Sequence, residues 1–223
     1  MCGRMSLTGP DPDAFIEALG LTTHPGALPD YRPRYNIAPT QPHWLLRRGP
    51  TGRTLDRVPW GLPNPRGGAL LINARSERAL EPARSLWSTA LRRGRCVIPA
   101  DGFFEWHRNQ GGAEKTPHWF RRTDGGLLLF AGLVERGRFV VLTTAPSPDV
   151  APIHHRMPAI LEPEAVGLWL SDAGAEAAPE LLVPGRRGLL EATPVSKRVN
   201  DVRNDDPACI RPAPPAPRQQ SLF

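Results

Sequence analysis

The spacing of apolar residues near the amino terminus predicts a helix over residues 11–20. Apolar side chains recur there at the three- and four-residue spacing that places them on one helix face, at Phe15, Ile16 and Leu19. Asp11 is of a type that caps helix amino termini, and Gly20 ends the pattern as glycine commonly does after a last turn. The sequence therefore predicts one short amphipathic helix before the first strands.

Beyond that helix, short apolar or alternating stretches are bounded by proline and glycine, which is typical of strands joined by tight turns. The first group of predicted strands lies at residues 43–48, 54–60, 69–74, 96–100 and 102–107. Three glycine-containing turns then predict hairpins, at residues 109–112, 124–126 and 136–138. They separate strands at residues 116–122, 127–135 and 139–144. The remaining predicted elements are helices at 83–93, 163–170 and 174–182 and a last strand at 189–195.

These elements interleave short strands with a few helices and show no regular βαβ alternation. The 27 prolines and 21 glycines favour many turns and argue against a helical bundle. We therefore expect an α+β fold with a single domain over residues 1–210. Its core would be a mainly antiparallel, twisted or barrel-like β-sheet with a few flanking helices. Residues 211–223, RPAPPAPRQQSLF, have the composition of a disordered proline-rich tail.

The composition excludes two classes of protein. No apolar run reaches the roughly 18 residues that a membrane helix needs, and the amino terminus lacks the apolar segment of a signal peptide. We therefore expect a cytoplasmic protein without a membrane partner. The net charge of +6 favours phosphate-bearing partners, and 26 of the 28 basic residues are arginines, the exceptions being Lys115 and Lys197. Arginine suits bidentate phosphate binding, although a GC-rich coding sequence would also enrich it.

The three cysteines are Cys2, Cys96 and Cys209, and none has the CxxC or CxxH spacing of a structural zinc site. We expect no metal, no cofactor and reduced thiols. Cys96 lies in the apolar run CVIPA and fits a small buried side chain.

Cys2 differs because of its position. Once the initiator methionine is removed, it carries a free α-amine and a thiol on adjacent carbons, and both are partly nucleophilic at neutral pH. Such an aminothiol forms an imine with an aldehyde and then closes a five-membered thiazolidine. An N-terminal nucleophile can alternatively use its amine as the base for amide hydrolysis.

In residues 100–108, ADGFFEWHR, Glu105 lies among three aromatic residues, Phe103, Phe104 and Trp106. In a strand, Phe104 and Trp106 share one face, and Phe103 and Glu105 share the other. A carboxyl group in apolar surroundings has a raised pKa, which suits proton transfer near neutral pH. The alternative is a glutamate at a strand end that is solvated or paired with an arginine.

In two further segments, polar residues that could take part in chemistry lie next to an apolar run. In IHHRMPAIL, residues 153–161, adjacent histidines suit proton transfer and the arginine suits a phosphate or carboxylate ligand. In LLINARSE, residues 70–77, Asn73, Arg75 and Glu77 would share one strand face and form the wall of a polar pocket. The alternative for the first segment is a histidine pair with a structural role, and the alternative for the second is an ordinary exposed face of a sheet.

Six segments occur in the order MCGR, RYNIAP, NARSE, ADGFFEW, HHRMP and TPVSKRVNDVRN, and together they span nearly the whole chain. In this order they resemble the SRAP family, the SOS-response-associated peptidase-like proteins that crosslink to abasic sites in single-stranded DNA. The resemblance implies one SRAP domain, a damage-processing enzyme and a single-stranded DNA partner that contains abasic sites. We expect a monomer, because no oligomer seam is evident in the sequence.

The resemblance also implies catalytic roles. Cys2 would attack the aldehyde of the ring-opened abasic sugar and form a stable thiazolidine crosslink. Glu105 would position and deprotonate the α-amine, while His154, rather than His155, would act as acid and base in ring opening and reversal. Asn73 would hold a sugar oxygen or hydroxyl. Lyase activity, and peptidase cleavage of an amide next to Cys2, are further activities that the family implies.

The positions that match the family's DNA-binding residues are Arg4, Asn36, Pro39, Arg75, Arg84 and Arg156. Asn36 would help form the pocket wall beside the terminus, and Pro39 is a candidate wedge between bases. Arginine–phosphate contacts would make binding sequence-tolerant and salt-sensitive. The segment WGLPNPRGG, residues 60–68, departs from the family because no aromatic residue follows Trp60 to stack on a base.

Two other classes of function stay open from the residues. An MCG start also resembles glutamine amidotransferase domains, whose N-terminal cysteine hydrolyses an amide, but NARSE, ADGFFEW and HHRMP then have no role. A non-catalytic nucleic-acid-binding module explains the arginines and makes Cys2 coincidental.

The expected location is the cytoplasm, with association to the nucleoid when damaged DNA is bound.

Overall fold

The computed structural model describes residues 2–9, 11–21, 28, 30–50, 52–82, 85–108 and 114–214. The strands in these ranges are β1 (Met5–Leu7), β2 (Arg34–Ile37), β3 (Pro42–Gly49), β4 (Gly52–Pro59), β5 (Asn73–Arg75), β6 (Arg95–Ala100), β7 (Gly102–Arg108), β8 (Lys115–Arg122), β9 (Leu128–Glu135), β10 (Arg138–Thr144), β11 (Met157–Pro158), β12 (Ile160–Leu161) and β13 (Leu190–Pro194). The α-helices are α1 (Pro12–Ala18), α2 (Ser76–Ala79), α3 (Leu86–Arg93), α4 (Ala165–Leu170) and α5 (Ala178–Leu181). Short 3₁₀ turns lie at Asp172–Ala175, Lys197–Asn200 and Pro207–Cys209.

The strands form two sheets. The five-stranded sheet has the order β13-β8-β7-β1-β2, and the eight-stranded sheet follows β11-β10-β9-β6-β3-β4, with β12 on β9 and β5 on β10. Among the described strands, every pair is antiparallel except β5 with β10. The predicted α+β class with mainly antiparallel sheet is therefore confirmed. The barrel-like closure is wrong, because both sheets are twisted but open.

Local sequence signals account for the helix ends. The Asp11 side chain accepts a hydrogen bond from the backbone N–H of Asp13 at the start of α1, and Gly20 follows the helix with φ 66°. Helix α3 begins later than residue 83, since Ser85 and Ser88 form a capping box immediately before and inside it. None of the described helices is both long and apolar enough to cross a membrane.

Hairpin turns occur where glycine permits a left-handed backbone. Between β9 and β10, Arg136 and Gly137 have φ of 50° and 71°, and Glu135 pairs with Arg138 across the turn. Gly125, with φ 74°, turns the chain after β8. The turn predicted at 109–112 lies outside the described residues.

The segment before α2 differs from the prediction. The strand expected over residues 69–74 is reduced to β5, which pairs in parallel with β10, and the chain enters a helix at Ser76. Asn73, Arg75 and Glu77 therefore do not share one strand face, because Glu77 belongs to the helix. Period-two spacing placed these residues together only if the strand had continued past Arg75.

Strand β7 separates two apolar clusters, as its alternation predicts. Phe103 lies in the main core, where its ring stacks on Phe120 with centroids 4.8 Å apart. Phe104, on the opposite face, packs in a smaller cluster with Val195, Val199 and Cys209, and Trp106 packs against the same cluster. This second cluster fastens the carboxy-terminal segment to the sheet that carries Glu105.

The first residue of β7 must be glycine for a steric reason. A Cβ at Gly102 would lie 2.0 Å from Nε1 of Trp119 on the neighbouring strand β8. That indole instead crosses closely over the backbone and donates to the Ser6 hydroxyl of β1 at 2.9 Å. The contact ties β1, β7 and β8 together next to the amino terminus.

The end of the described chain packs against the first sheet. Pro212 forms a bridge with Val195, and the backbone N–H of Ala213 donates to the carbonyl of Pro194 at 2.8 Å. Residues 215–223 of the predicted tail lie outside the described residues.

Candidate active site

Pairing between β1 and β7 places Cys2 beside Glu105. Met5 is in register with Phe103, and the backbone N–H of Phe104 donates to the carbonyl of Arg4 at 3.1 Å. Continuing this antiparallel pairing toward the terminus brings Cys2 to the part of β7 that carries Glu105. Cys2 is fully buried, and its thiol donates to the carbonyl of Arg4 at 3.7 Å.

Glu105 and His154 form a buried acid–base pair. The His154 Nδ1 lies 3.5 Å from the Glu105 Oε1 and 2.8 Å from the carbonyl oxygen of Arg156. Burial raises the pKa of Glu105 to about 7, which confirms the expectation of a raised value among aromatic neighbours. Burial also lowers the pKa of His154, which favours its neutral imidazole form.

The turn that precedes β11 positions His154. The backbone N–H of His154 donates to the carbonyl of Val150 at 2.9 Å, and the N–H of Arg156 lies 3.2 Å from the Nδ1 of His154. The next residue, His155, has its ring 4.5 Å from that of His154, centroid to centroid. Both histidines therefore face the same space, although only His154 contacts Glu105.

The Cys2 thiol is protonated at neutral pH. Burial, followed by the negative charge of Glu105, raises the pKa of the thiol well above its ordinary value. The thiol consequently needs a proton acceptor when it reacts, and the carboxylate whose charge it senses is adjacent to it. A thiol, a carboxyl group and an imidazole thus follow one another through the site.

Asn73 orients the backbone of the amino-terminal residue. Its Nδ2 donates to the carbonyl oxygen of Cys2 at 2.8 Å. Its Oδ1 is buried and accepts no hydrogen bond from any of the described residues. This amide therefore holds Cys2 in place and retains an acceptor for a donor that enters the site.

The acid–base pair opens into a hollow of about 490 Å³. Its wall is formed by residues from β7, β8 and the turn before β11: Glu105, Trp106, Arg108, Lys115, Ala151, Ile153, His154 and His155. Sequence reasoning assigned no role to Lys115, although one signal was available, because it is one of only two lysines in the chain. No cluster of three metal-ligating side chains occurs in the parts of the chain that the structure describes.

Comparison with known proteins identifies the family. A family model described as SOS response associated peptidase (SRAP) matches residues 1–202. The chain belongs to the SOS response associated peptidase family. This SRAP match spans the Cys2, Glu105 and His154 positions, and it confirms the resemblance carried by the six sequence segments.

Curated relatives of this SRAP chain share a description. Abasic site processing protein YoqW of Bacillus subtilis is 32% identical, over 94% of this chain and 99% of YoqW. Abasic site processing protein YedK of Escherichia coli is 33% identical, over 80% of this chain and 84% of YedK. Abasic site processing protein HMCES of Gallus gallus is 31% identical, over 82% of this chain and 67% of HMCES.

Solved structures share the SRAP chain's fold. A crystal structure of a protein from Bacteroides thetaiotaomicron matches with a TM-score of 0.76 at 21% identity, covering 95% of this chain and all 100% of that one. A phage-related protein from Bordetella bronchiseptica matches with a TM-score of 0.67 at 29% identity, covering 87% and 94% of the two chains. At 21% identity, the match to the Bacteroides thetaiotaomicron protein supports the fold alone.

Two residues expected to bind DNA brace the carboxy-terminal segment of the SRAP domain instead of facing outward. Arg4 donates to the Asn36 Oδ1 at 2.8 Å, to the carbonyl of Asn200 at 3.1 Å and to that of Val199. Asn36 is fully buried, and its Nδ2 lies within 3.1 Å of three carbonyl oxygens, those of Val199, Asp201 and Asn204. Asn36 thus joins Arg4 to the carbonyl groups of residues 199–204, while its place in the pocket wall and its contact with DNA stay predictions.

Replacing Asn36 with alanine is expected to lower the free energy of unfolding by about 1–3 kcal/mol, because buried carbonyls then lose their donor. Urea-induced unfolding of the whole chain measures the change. Asn64→Ala is the matched control, since the Asn64 side chain accepts one exposed hydrogen bond from the backbone of Arg66. Equal effects of the two substitutions would show that the buried amide is not a brace.

Arg156 is engaged within the protein. Its guanidinium pairs with both oxygens of Glu77, at 2.7 and 3.0 Å, and also donates to the carbonyl of Thr143. The pair joins α2 to the turn that carries His154, so Arg156 holds the site together. Its predicted phosphate contact would require part of this pairing to be exchanged.

The other predicted DNA-binding residues are differently placed. Arg75 is exposed at the end of β5, and no ion pair to it occurs among the described residues. Pro39 is half-buried beside Thr40, whose φ of 77° is held by a hydrogen bond from its N–H to the carbonyl of Trp60. Arg84 lies outside the described residues. Among the described candidates, Arg75 is the exposed one, and its contact with DNA and that of Pro39 stay predictions.

Proposed function

We propose that this SRAP protein processes abasic sites in single-stranded DNA by forming a thiazolidine crosslink through Cys2. The observation that carries the proposal is the burial of Cys2 beside Glu105, whose carboxyl group pairs with His154 in the wall of an open hollow. The abasic-site descriptions of YoqW, YedK and HMCES support the same substrate.

The reaction starts after removal of Met1, when the α-amine of Cys2 is free. The amine attacks C1′ of the ring-opened sugar, and the resulting carbinolamine loses water to form an imine. The sulfur then adds to the imine carbon, and the thiol proton passes through the site to the imine nitrogen. One aldehyde and one aminothiol give one thiazolidine and one water, so no redox partner is needed.

The neighbouring groups have complementary protonation states for these steps. Glu105, with its pKa raised to about 7, accepts a proton from the ammonium or the thiol and returns it within the same pH range. His154 exchanges protons with the sugar oxygen in ring opening and in reversal. Asn73 supplies to a sugar hydroxyl its Oδ1, to which none of the described residues donates, while its Nδ2 holds Cys2.

Single-stranded DNA fits the exposed charge of the protein. The chain has a net charge of +6, and Arg75 is exposed at the end of the strand that carries Asn73. Contacts between arginine and phosphate hold a strand without reading its sequence. Selectivity then comes from the lesion, because an undamaged nucleotide offers no aldehyde to Cys2.

The direct test mixes the purified protein with a single-stranded oligonucleotide that carries one abasic site. We expect a heat-stable, slower band on a denaturing gel, absent when borohydride has first reduced the aldehyde to an alcohol. Glutamine hydrolysis without such a band would favour the amidotransferase alternative. A shift seen only on native gels would favour a non-catalytic binding module.

The same groups support two further activities. A thiol, a carboxyl group and an imidazole in succession are the groups that a self-processing cysteine peptidase uses on the amide before Cys2. The imine intermediate also permits elimination of the 3′ phosphate, which is a lyase reaction. Strand scission on the denaturing gel detects the second activity, and the mass of the mature chain reports the first.

Crosslinking should depend on the ionisation of Glu105. Because burial raises its pKa to about 7, the carboxylate is lost as the pH falls through 7, and the initial crosslinking rate is expected to fall with it. Glu105→Gln should lower the rate by about 10²–10³-fold and remove this inflection, leaving the α-amine's own titration near about 8. Initial rates between about pH 5 and 9 measure both effects.

Glu135→Gln serves as the control for this profile, because Glu135 lies at the far end of β9 and lines no part of the hollow. It should keep the parent rate and inflection. An unchanged inflection in Glu105→Gln would show that another group controls the rate.

A further inference from the structure

A second hollow continues the one above the acid–base pair. It has a volume of about 510 Å³ and is lined by Trp106, Glu114, Lys115, Lys197 and Asn200. Trp106 and Lys115 line both hollows, so the two hollows adjoin along these side chains, with Glu105 and His154 on one side and Lys197 on the other. Together the two hollows are called the lysine groove below.

The groove concentrates positive charge. Both lysines of the chain line it, and Arg108 is exposed directly across from Lys115 in the β7–β8 register. In the described chain Lys115 has no ion-pair partner, and its charge is one of the influences, after burial, that lower the pKa of His154. The positive field of Lys115 therefore reaches the acid–base pair.

Lys197 is paired, but only on the surface. It contacts Glu114, and both side chains are more than half exposed. An exposed ion pair of this kind contributes little to stability, since water solvates both partners. A phosphate can consequently take the place of the Glu114 carboxylate at small cost.

Trp106 is held as a fixed aromatic surface along the groove. Its Nε1 donates to the Asn200 Oδ1 at 2.8 Å, and its ring packs on the cluster that contains Phe104. Trp60 cannot serve this purpose, because it is fully buried and stacks on Phe139 with centroids 5.8 Å apart. Trp106 is thus the aromatic side chain placed to stack on a base next to the lesion.

We propose that the lysine groove holds the nucleotides that flank the lesion on one side. Lys115 and Lys197 contact successive phosphates, and one base stacks on the indole of Trp106. The inference rests on the proposed function for its substrate, and it adds the path of the strand and a replacement for the aromatic residue missing after Trp60. Charge complementarity with an aromatic surface is the combination that single-stranded nucleic acid binds.

The first experiment measures binding of the full chain to a lesion-free oligothymidylate, so that no crosslink can form. The double variant Lys115→Ala/Lys197→Ala is expected to bind about tenfold more weakly, and its salt dependence should flatten by about 1.4 in log–log slope. Arg92→Ala/Arg93→Ala is the control, because it removes the same charge from exposed residues at the end of α3 that line neither hollow. An equal loss of oligothymidylate affinity in the two double variants would overturn the proposal that DNA binds in the lysine groove.

Glu114→Gln provides a test with the opposite sign. It removes the partner of Lys197 and a negative charge from the groove, so binding of the oligothymidylate should tighten about two- to threefold. Unchanged or weaker binding would contradict a phosphate contact at Lys197. The Glu114 side chain is exposed, so the substitution removes no buried contact.

Trp106→Phe and Trp106→Leu separate stacking from structure. Both lose the hydrogen bond to Asn200, but only phenylalanine keeps a ring, so Leu is expected to weaken oligothymidylate binding about tenfold and Phe by threefold or less. Equal weakening in both variants would show that the indole only supports the segment around Asn200.

The outcomes distinguish this inference from the proposed function. A parent chain that crosslinks abasic DNA, together with a lysine variant that binds oligothymidylate normally, would refute the groove and leave the function intact. A parent chain that binds DNA through the lysines but forms no crosslink would refute the thiazolidine chemistry and leave the groove intact.

Discussion

Replacing Cys2 with alanine is expected to abolish the heat-stable crosslink to abasic DNA. Alanine keeps the α-amine, so an imine still forms, but no sulfur is present to close the five-membered ring. Imines hydrolyse readily in water, whereas a thiazolidine holds the same carbon through both nitrogen and sulfur. The denaturing gel should show no band for the variant unless borohydride is added to reduce and trap the imine.

Serine at the same position refines this expectation. Cys2→Ser retains the amine and offers a hydroxyl oxygen, which is a far weaker nucleophile toward the imine than sulfur. We expect the borohydride-trapped band and at most a trace of the heat-stable one. Because the borohydride band reports an intact site, its presence in both variants excludes misfolding as the cause of the loss.

Cys209→Ala is the control for both substitutions. Cys209 is also buried, and its thiol also has a raised pKa because of burial, but it packs in the small cluster with Phe104 and Val199. It should crosslink as the parent does. A heat-stable band of parental intensity in Cys2→Ala would show that a different residue captures the aldehyde.

The second large effect concerns the amino group. A glycine inserted between Met1 and Cys2 is expected to abolish the crosslink, because the nitrogen of Cys2 then lies in a peptide bond and its lone pair is delocalised. Once Met1 is removed, the new terminal amine belongs to the inserted glycine, and an imine formed there could close on the cysteine sulfur only through a ring larger than five members. The thiol, Glu105 and His154 all remain, so the loss isolates the contribution of the amine.

A cleavable leader supplies the matched control for the insertion. A chain with a protease site directly before Cys2 should form no crosslink until the leader is cut, and should then crosslink as the parent does. Intact-mass measurement confirms the terminus in each sample. Full crosslinking by the uncut or glycine-extended chain would show that the amine takes no part.

Several features of the site follow from local sequence. Alternation along GFFEW places Phe103 and Glu105 on one face of β7 and Phe104 and Trp106 on the other, and the structure has this division. The raised pKa of Glu105 follows from its burial in the middle of this aromatic stretch, where Phe103 and Phe104 on either face are also fully buried. Period-two geometry is a property of the strand itself and needs no knowledge of distant residues.

Other features depend on partners far along the chain. Strand β1 has only three residues and β2 lies in a proline-rich stretch, so neither was predicted, yet their pairing next to β7 sets the position of Cys2. The roles of Arg4 and Asn36 depend on carbonyl groups of residues 199–204, which only packing of the carboxy-terminal segment brings near. The prediction that Glu77 lies in a strand was wrong, because the chain enters helix α2 at Ser76.

The sequence by itself determined the reactive groups of this protein: an aminothiol terminus, a carboxylate among aromatic residues, a histidine pair and an ordered set of segments that identify the family. The tertiary structure decided which of these groups touch, placing His154 3.5 Å from Glu105 and both lysines along one groove. The physical reason is that residue type fixes the reactive group, and the local periodicity of a strand fixes the face to which its side chain points. Contacts between residues far apart in the sequence are instead set by the pairing and packing of whole sheets.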